Sequence, residues 1–101
     1  MSEQDDDDDD PDEPVEIPID GVLDLHPFRP RELAEVVAAY LDECAARGIR
    51  DVRLIHGKGI GVAREIVRAA IERHPAVERF RAGGEGEGGW GATVVTLKKS
   101  P

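Results

Sequence analysis

The chain has 101 residues, a formal net charge of −9 and a single cysteine, Cys44. One cysteine excludes an intrachain disulfide and a zinc site built from several thiolates, which is typical of a reducing compartment. No apolar stretch approaches the roughly 20 residues of a membrane span, and the acidic start does not resemble a signal peptide. We therefore expect a soluble cytoplasmic protein that does not contact membranes.

Acidic and basic side chains occupy different parts of the chain. Half of the 22 acidic residues lie before Gly21, including the run Asp5–Asp10, whereas all 13 basic residues lie at or after Arg29. The segment before Gly21 is too polar to bury the apolar surface that folding requires. We predict a disordered acidic tail over residues 1–18 and one mildly basic domain over residues 19–101. The tail either keeps the chain soluble or mimics a phosphate backbone and competes for a basic site.

The first half of the domain predicts a strand followed by a helix. Residues 21–26 have apolar side chains on both faces, as a covered parallel strand requires, and Pro27 ends this strand. Residues 30–47 have the spacing of an amphipathic helix, with Pro30 at its first position and Gly48 as its C-terminal stop. The apolar stripe of this helix consists of Leu33, Val36, Val37, Tyr40, Leu41 and Cys44.

The second half repeats the alternation and ends in two strands. We predict a strand over residues 51–56, a helix over 62–74, and strands over 77–82 and 92–98 that are joined by a glycine-rich loop over 83–91. The order βαβαββ predicts an α/β fold, a small layered sandwich with a mixed, largely parallel sheet.

The last strand is a candidate for an open sheet edge. Lys98 is the last residue of this predicted strand, and Lys99 follows it. Because lysines at an edge discourage pairing with a second chain, we expect a monomer.

Histidines end both of the first two predicted strands. His26 precedes Pro27 and His56 precedes Gly57. Because the carboxyl ends of neighbouring parallel strands form the ligand crevice of an open sheet, we expect these imidazoles to line one rim. Asp24 lies on the same strand face as His26, where it would orient the imidazole or help to hold a cation.

The segment Gly57-Lys58-Gly59 resembles a phosphate cradle. It would offer exposed backbone N–H groups beside a helix N-terminus, with a cationic side chain in the middle. Its spacing matches neither the P-loop nor the full dinucleotide fingerprint. We therefore predict a phosphate-binding loop that is not a nucleotide-binding motif. His74, at the end of the second predicted helix, would only interact favourably with the helix dipole.

The two histidine motifs resemble those of a known family. Leu23-Asp24-Leu25-His26 and His56-Gly57-Lys58-Gly59 are similar to the signature motifs LDLHG and HGxG of the small MutS-related (Smr) domain, and one helix and one strand separate them as in that family. The resemblance extends from about Leu23 to Leu97 and includes the closing segment Gly88–Val95.

This resemblance implies a βαβαββ fold and nicking endonuclease activity on DNA or RNA. It assigns Asp24 and His26 to the first motif and His56, Gly57 and Gly59 to the second. The sequence departs from the family pattern at residue 27, where proline replaces the motif glycine and removes a backbone N–H. The fold therefore follows more directly from the resemblance than the catalysis does.

Our mechanistic hypothesis is cleavage of a phosphodiester bond. His26, oriented by Asp24, would act as general base or as ligand of a divalent cation such as Mg²⁺, and His56 would be the opposing acid. Lys58 and the amides of Gly57 and Gly59 would hold the phosphate.

Two other functions remain open at this point. A nucleic-acid-binding module without cleavage would use the same loop together with Arg29, Arg31 and Trp90, whose indole would stack on an unpaired base. Trp90 would alternatively pack on the hairpin as an aromatic lid. A protein-interaction adaptor would dock its acidic tail on a basic partner, but it would leave the two histidines unused.

Overall fold

The structure, a computed structural model, describes residues 17–57, 61–86 and 89–99. Most of the predicted acidic tail lies outside the described residues, and so do Lys58 and Gly59 of the predicted phosphate loop. Among the described residues, no helix combines the length and the apolar character that a bilayer crossing requires.

The predicted helices and strands are all present, with ends within two residues of those expected. In chain order they are β1 (Val22–Asp24), α1 (Pro30–Ala46), β2 (Asp51–Ile55), α2 (Val62–Arg73), β3 (Val77–Ala82), a short 3₁₀ helix (Gly89–Gly91) and β4 (Ala92–Leu97). β1 is the element that differs most from its prediction. It ends early because the chain turns at His26, whose backbone N–H bonds to the carboxylate of Asp24.

The sheet is mixed and has the strand order β1-β2-β4-β3. β1 pairs with β2 in parallel, whereas β4 is antiparallel to both β2 and β3. The prediction that the last strand forms an open edge is wrong, because β4 lies between two partners and β1 and β3 form the edges. The connection through α2 leads from β2 to β3, which lies two strand positions away in the sheet. The hairpin that follows β3 then places β4 in the position between them.

Both helices lie on the same side of this sheet. The connections from β1 to β2 and from β2 to β3 move across the sheet in one direction, so crossovers of the usual right-handed sense put both helices on one face. The two helices also pack against each other. The domain therefore has two layers, and no described helix covers the opposite face of the sheet.

The hydrophobic core fills the space between the helices and the sheet. It includes Leu23, Leu33, Val37, Leu41, Cys44, Val52, Leu54, Val67, Ile71, Val95 and Leu97. Each of the larger aliphatic side chains contributes about 1.5–3 kcal/mol through its burial. Cys44 is fully buried, as its place on the apolar stripe predicts, and burial raises the pKa of its thiol.

Tyr40 joins α1 to the chain that enters β1. Its hydroxyl accepts a hydrogen bond from the N–H of Gly21 at 3.0 Å and lies 3.2 Å from the carbonyl oxygen of Val22. Burial raises the pKa of Tyr40, so the hydroxyl keeps its proton and can donate to that carbonyl. Ile17 and Ile19 pack against the same core. This contact positions β1, and with it the Asp24 side chain at its end.

Candidate active site

Asp24 and His26 form a hydrogen-bonded pair at the end of β1. One carboxylate oxygen, Oδ1, accepts the backbone N–H of His26 at 2.9 Å and lies 2.6 Å from its ring nitrogen Nδ1. An ionised carboxylate can only accept, so Nδ1 carries a proton and Nε2 of the neutral ring is the acceptor. Both side chains are 60% exposed. The pair therefore presents an oriented imidazole to solvent.

The carboxyl group of this pair stays ionised down to low pH. The backbone N–H of His26, together with its imidazole, holds the pKa of Asp24 below the ordinary value of 3.8. Both hydrogen bonds favour the charged form of the carboxyl. Asp24 is therefore a negative charge throughout the neutral and mildly acidic range, and it can stabilise a protonated imidazole there.

Gly57 brings the second motif next to the first. Its φ of +85° lies in the left-handed region, which disfavours residues with a side chain. A Cβ added at this position would lie 2.9 Å from Nε2 of His26. Residue 57 therefore has two separate reasons to be glycine, and one of them is to leave room for Nε2 of His26.

His56 lies beside this glycine but faces the interior. It is buried, with Nε2 2.9 Å from the hydroxyl of Thr93 and Nδ1 3.0 Å from the carbonyl oxygen of Gly57. A carbonyl oxygen only accepts, so Nδ1 donates to it, and Nε2 of the neutral ring accepts from the hydroxyl. The structure therefore does not place the two imidazoles on a common exposed rim, as the sequence had suggested. His56 fixes the loop on which Gly57 lies.

One carbonyl group accepts two backbone hydrogen bonds at the start of this loop. The N–H groups of His56 and Gly57 both donate to the carbonyl oxygen of Gly91, at 2.8 and 2.9 Å. The Gly57 amide, which the sequence assigned to phosphate, is therefore already in use. Gly91 and Thr93 lie in the closing segment of the family resemblance, but their roles were not predicted, because both act through contacts across the sheet.

Arginines occur on the segments that follow the two motifs in the chain. Arg29 and Arg31 are exposed at the start of α1, shortly after His26. Arg64 lies in the first turn of α2, and its guanidinium approaches Gly61, within 3.4 Å of where a Cβ would stand. Arg64 was missed from the sequence, although its position three residues after the glycine segment was a usable signal. Trp90 belongs to the short 3₁₀ helix, and its side chain lies outside the described structure.

Asp24 and His26 are the candidate metal ligands at this corner of the sheet, where β1 ends. Within the described residues, no group of three or more His, Cys, Asp or Glu side chains could hold a metal ion. Mg²⁺ commonly keeps several waters and takes phosphate oxygens as ligands. An ion at this corner would therefore depend on water and substrate for most of its coordination.

Comparison with known proteins identifies the family. A family model of the Smr domain matches residues 23–98, which include both histidine motifs and all four strands except Val22. The chain belongs to the Smr domain family.

Relatives of this Smr chain include much longer proteins. It is 40% identical over 80 residues to Endonuclease MutS2 of Clostridium tetani, a match that covers 79% of the chain and 10% of that protein. It is 50% identical over 62 residues to Endonuclease MutS2 of Caldicellulosiruptor bescii, covering 61% of the chain and 8% of that protein. The Smr chain thus aligns with about a tenth of the length of these relatives.

Two solved structures confirm the predicted Smr fold. The Smr domain of Thermus thermophilus MutS2 superposes with a TM-score of 0.72 at 40% identity, covering 76% of this chain and 96% of that one. YdaL, a stand-alone small MutS-related protein from Escherichia coli, superposes with a TM-score of 0.74 at 27% identity, covering 78% of this chain and 65% of that one.

Proposed function

We propose that this chain is a nucleic-acid-binding Smr domain that nicks phosphodiester bonds in DNA or RNA. The observation that carries the proposal is the exposed His26 imidazole, whose Nδ1 is held by Asp24 and whose Nε2 faces the loop at Gly57. The name endonuclease, which belongs to relatives of which this chain covers about a tenth, supports the same chemistry.

In the proposed reaction His26 acts as a general base. Its Nε2 takes a proton from a water molecule, the water oxygen forms a bond to phosphorus, and the bond from phosphorus to one ester oxygen breaks. The products are a phosphate monoester and a free hydroxyl. Asp24 stabilises the imidazolium that forms at His26 and keeps the ring in the productive tautomer and orientation.

The phosphate would be held by donors that follow Gly57 in the chain. Because the Gly57 amide is bonded to Gly91, this role passes to the side chain of Lys58, the amide of Gly59 and Arg64. Mg²⁺, if it takes part, would neutralise charge on the phosphate oxygens with Asp24 as its protein ligand.

His56 has a different role in this proposal from the one that the sequence suggested. Both of its ring nitrogens have internal partners, so it has no nitrogen facing the substrate. We assign it to anchoring the loop. The leaving oxygen then takes its proton from water, which has access to this open corner.

Nicking of supercoiled plasmid and of structured RNA tests the proposal. Wild type and His26→Ala are compared with Mg²⁺ and with chelator, after circular dichroism has shown that both are folded. We expect the substitution to lower the nicking rate by about 100-fold or more, the usual contribution of a general base. Salt-sensitive binding without any cleavage by wild type would instead favour the non-catalytic binding module.

A further inference from the structure

The sheet face that no described helix covers bears a row of side chains that crosses all four strands. Arg53 on β2 pairs with Val22 on β1 and with Val94 on β4, and Val94 pairs in turn with Arg81 on β3. Directly paired residues point to the same face of a sheet. The row therefore reads Val22, Arg53, Val94, Arg81, with apolar and cationic side chains in alternation.

Arg53 at the centre of this row has few bonding partners for a charged group. Its Nε is buried and finds no hydrogen-bond partner among the described residues, and its Nη1 makes one long contact of 3.4 Å to the carbonyl oxygen of Gly86. No described carboxylate lies within ion-pair distance of Arg53, whereas Arg50 and Arg79 both pair with Glu78. A partly buried guanidinium normally has an anionic or carbonyl partner for each donor.

The row leads directly to the Asp24–His26 pair. Asp24 lies two residues after Val22 on β1, so its side chain points to the same face of the sheet. Its partner on β2 is Ile55, which lies two residues after Arg53. Neighbouring strands are about 4.8 Å apart, which places Arg81 about 10 Å from Arg53 and Arg53 within one strand spacing of β1. A chain that crosses the row from Arg81 would reach Asp24 at the sheet corner.

We propose that this uncovered face is the track on which one strand of the nucleic-acid substrate lies, with Arg53 binding a phosphate next to the one that is cleaved. The proposal rests on the proposed function and adds the direction from which substrate enters. A guanidinium fork matches a phosphate better than an ammonium group does. A phosphate would also give the Arg53 side chain an anionic partner, which no described carboxylate provides. The valines leave apolar surface for sugars and bases between the two arginines.

Binding of fluorescein-labelled single-stranded DNA and of RNA of the same sequence, measured by anisotropy at several salt concentrations, tests this track. Arg53→Gln is compared with Arg68→Gln, a matched control because Arg68 is an exposed arginine on α2 that pairs with Glu72. We expect Arg53→Gln to weaken binding about ten-fold and to lower the salt slope by about one, while the control stays close to wild type.

A second pair of variants tests the face without removing an arginine. Val22→Glu places a negative charge at an exposed position of the row, and Ala39→Glu places the same charge at an exposed position of α1. Repulsion of phosphate should weaken binding by Val22→Glu alone. This pair keeps the proposal testable if Arg53→Gln does not fold.

The possible outcomes separate this inference from the function on which it rests. Wild-type binding that neither Arg53→Gln nor Val22→Glu weakens would overturn the track and leave the nuclease proposal intact. Tighter binding by Arg53→Gln would also overturn it, because the face would then hold the acidic N-terminal segment of the chain. If wild type binds neither DNA nor RNA, both proposals fail.

Discussion

The part of the chain that the structure describes contains two aspartate–histidine pairs of nearly equal length in very different surroundings. Asp24 lies 2.6 Å from Nδ1 of His26, and both side chains are 60% exposed. Asp42 on α1 lies 2.7 Å from Nε2 of His74 at the end of α2, where the side chain of His74 is 6% exposed and that of Asp42 is 72% exposed. The second pair joins the two helices, whereas the first joins two residues of one turn.

The remaining ring nitrogen makes the difference between the two pairs. In His74 the Nδ1 accepts the backbone N–H of Ala76 at 3.1 Å, so both nitrogens are used within the fold. The buried side chain of His74 thus links the two helices. The sequence had predicted only an interaction with the helix dipole. In His26 the Nε2 faces the space beside Gly57. An Asp–His contact therefore indicates a site only when the other nitrogen remains accessible.

The largest expected difference between the pairs is in nicking activity. Asp24→Asn removes the charge that stabilises the His26 imidazolium and should lower the nicking rate by about 100-fold or more. Asp42→Asn makes the same chemical change at the structural pair and should leave the rate within about two-fold of wild type. Plasmid-nicking rates of the two variants, measured side by side, check this. Equal losses would mean that Asp24 acts only through stability.

A methyl group at residue 57 tests the space in front of His26. Gly57→Ala places a carbon 2.9 Å from Nε2 and should reduce nicking about ten-fold or more, with a loss of about 1–3 kcal/mol in the free energy of unfolding. Gly48→Ala is the matched control, because Gly48 has a φ of +75° but no atom within 4 Å of the added carbon. We expect the control to lose about 1–2 kcal/mol of stability and no activity.

Urea denaturation gives the stability of both glycine variants, and the nicking assay gives their activity. Equal losses of stability with full activity in both variants would contradict a catalytic role for the space in front of Nε2. In that case the contact with Nε2 would have no consequence for catalysis.

The pair that contains the buried His74 side chain should show the larger loss when stability is measured. His74→Ala deletes a buried side chain and leaves the N–H of Ala76 without its acceptor, so it should cost about 2–3 kcal/mol of unfolding free energy. His26→Ala removes an exposed side chain and should cost about 0.5 kcal/mol or less. Urea denaturation of both variants gives the comparison directly, and the reverse order would contradict the structural role of His74.

Local patterns in the sequence were sufficient for the elements and for one half of the site. The apolar stripe of α1 and the two-residue spacing of Asp24 and His26 are local features, and the structure reproduces both. The pair forms through a turn, since β1 ends at Asp24, and not through a continuous strand as predicted.

Long-range pairing determines what could not be predicted. His56 is buried because β4, with Thr93, lies next to β2, and Thr93 is 37 residues further along the chain. The position of β4 between β2 and β3 likewise depends on strand pairing, which no local pattern encodes. Arg53 was overlooked for the same reason, since an arginine on a half-buried strand has the usual polar alternation until its cross-strand neighbours are known.

The smallest expected effect is the contribution of Asp24 to acid stability. Its pKa is below 3.8 in the folded chain because the N–H and the imidazole of His26 hydrogen-bond to the charged form, and these bonds are lost on unfolding. A depressed folded pKa stabilises the protein above the ordinary pKa, and this stabilisation disappears as pH falls through the folded value. Between pH 4 and 2 the wild type should therefore lose slightly more stability than Asp24→Asn does. Because the carboxyl is exposed, solvent screens the effect. Thermal unfolding of the two proteins across this range should therefore show only a small change in the difference between their stabilities. A wild type that instead gained stability relative to Asp24→Asn as pH fell would show that the hydrogen bonds favour the protonated carboxyl, and it would remove the charge on which the proposed role of Asp24 depends.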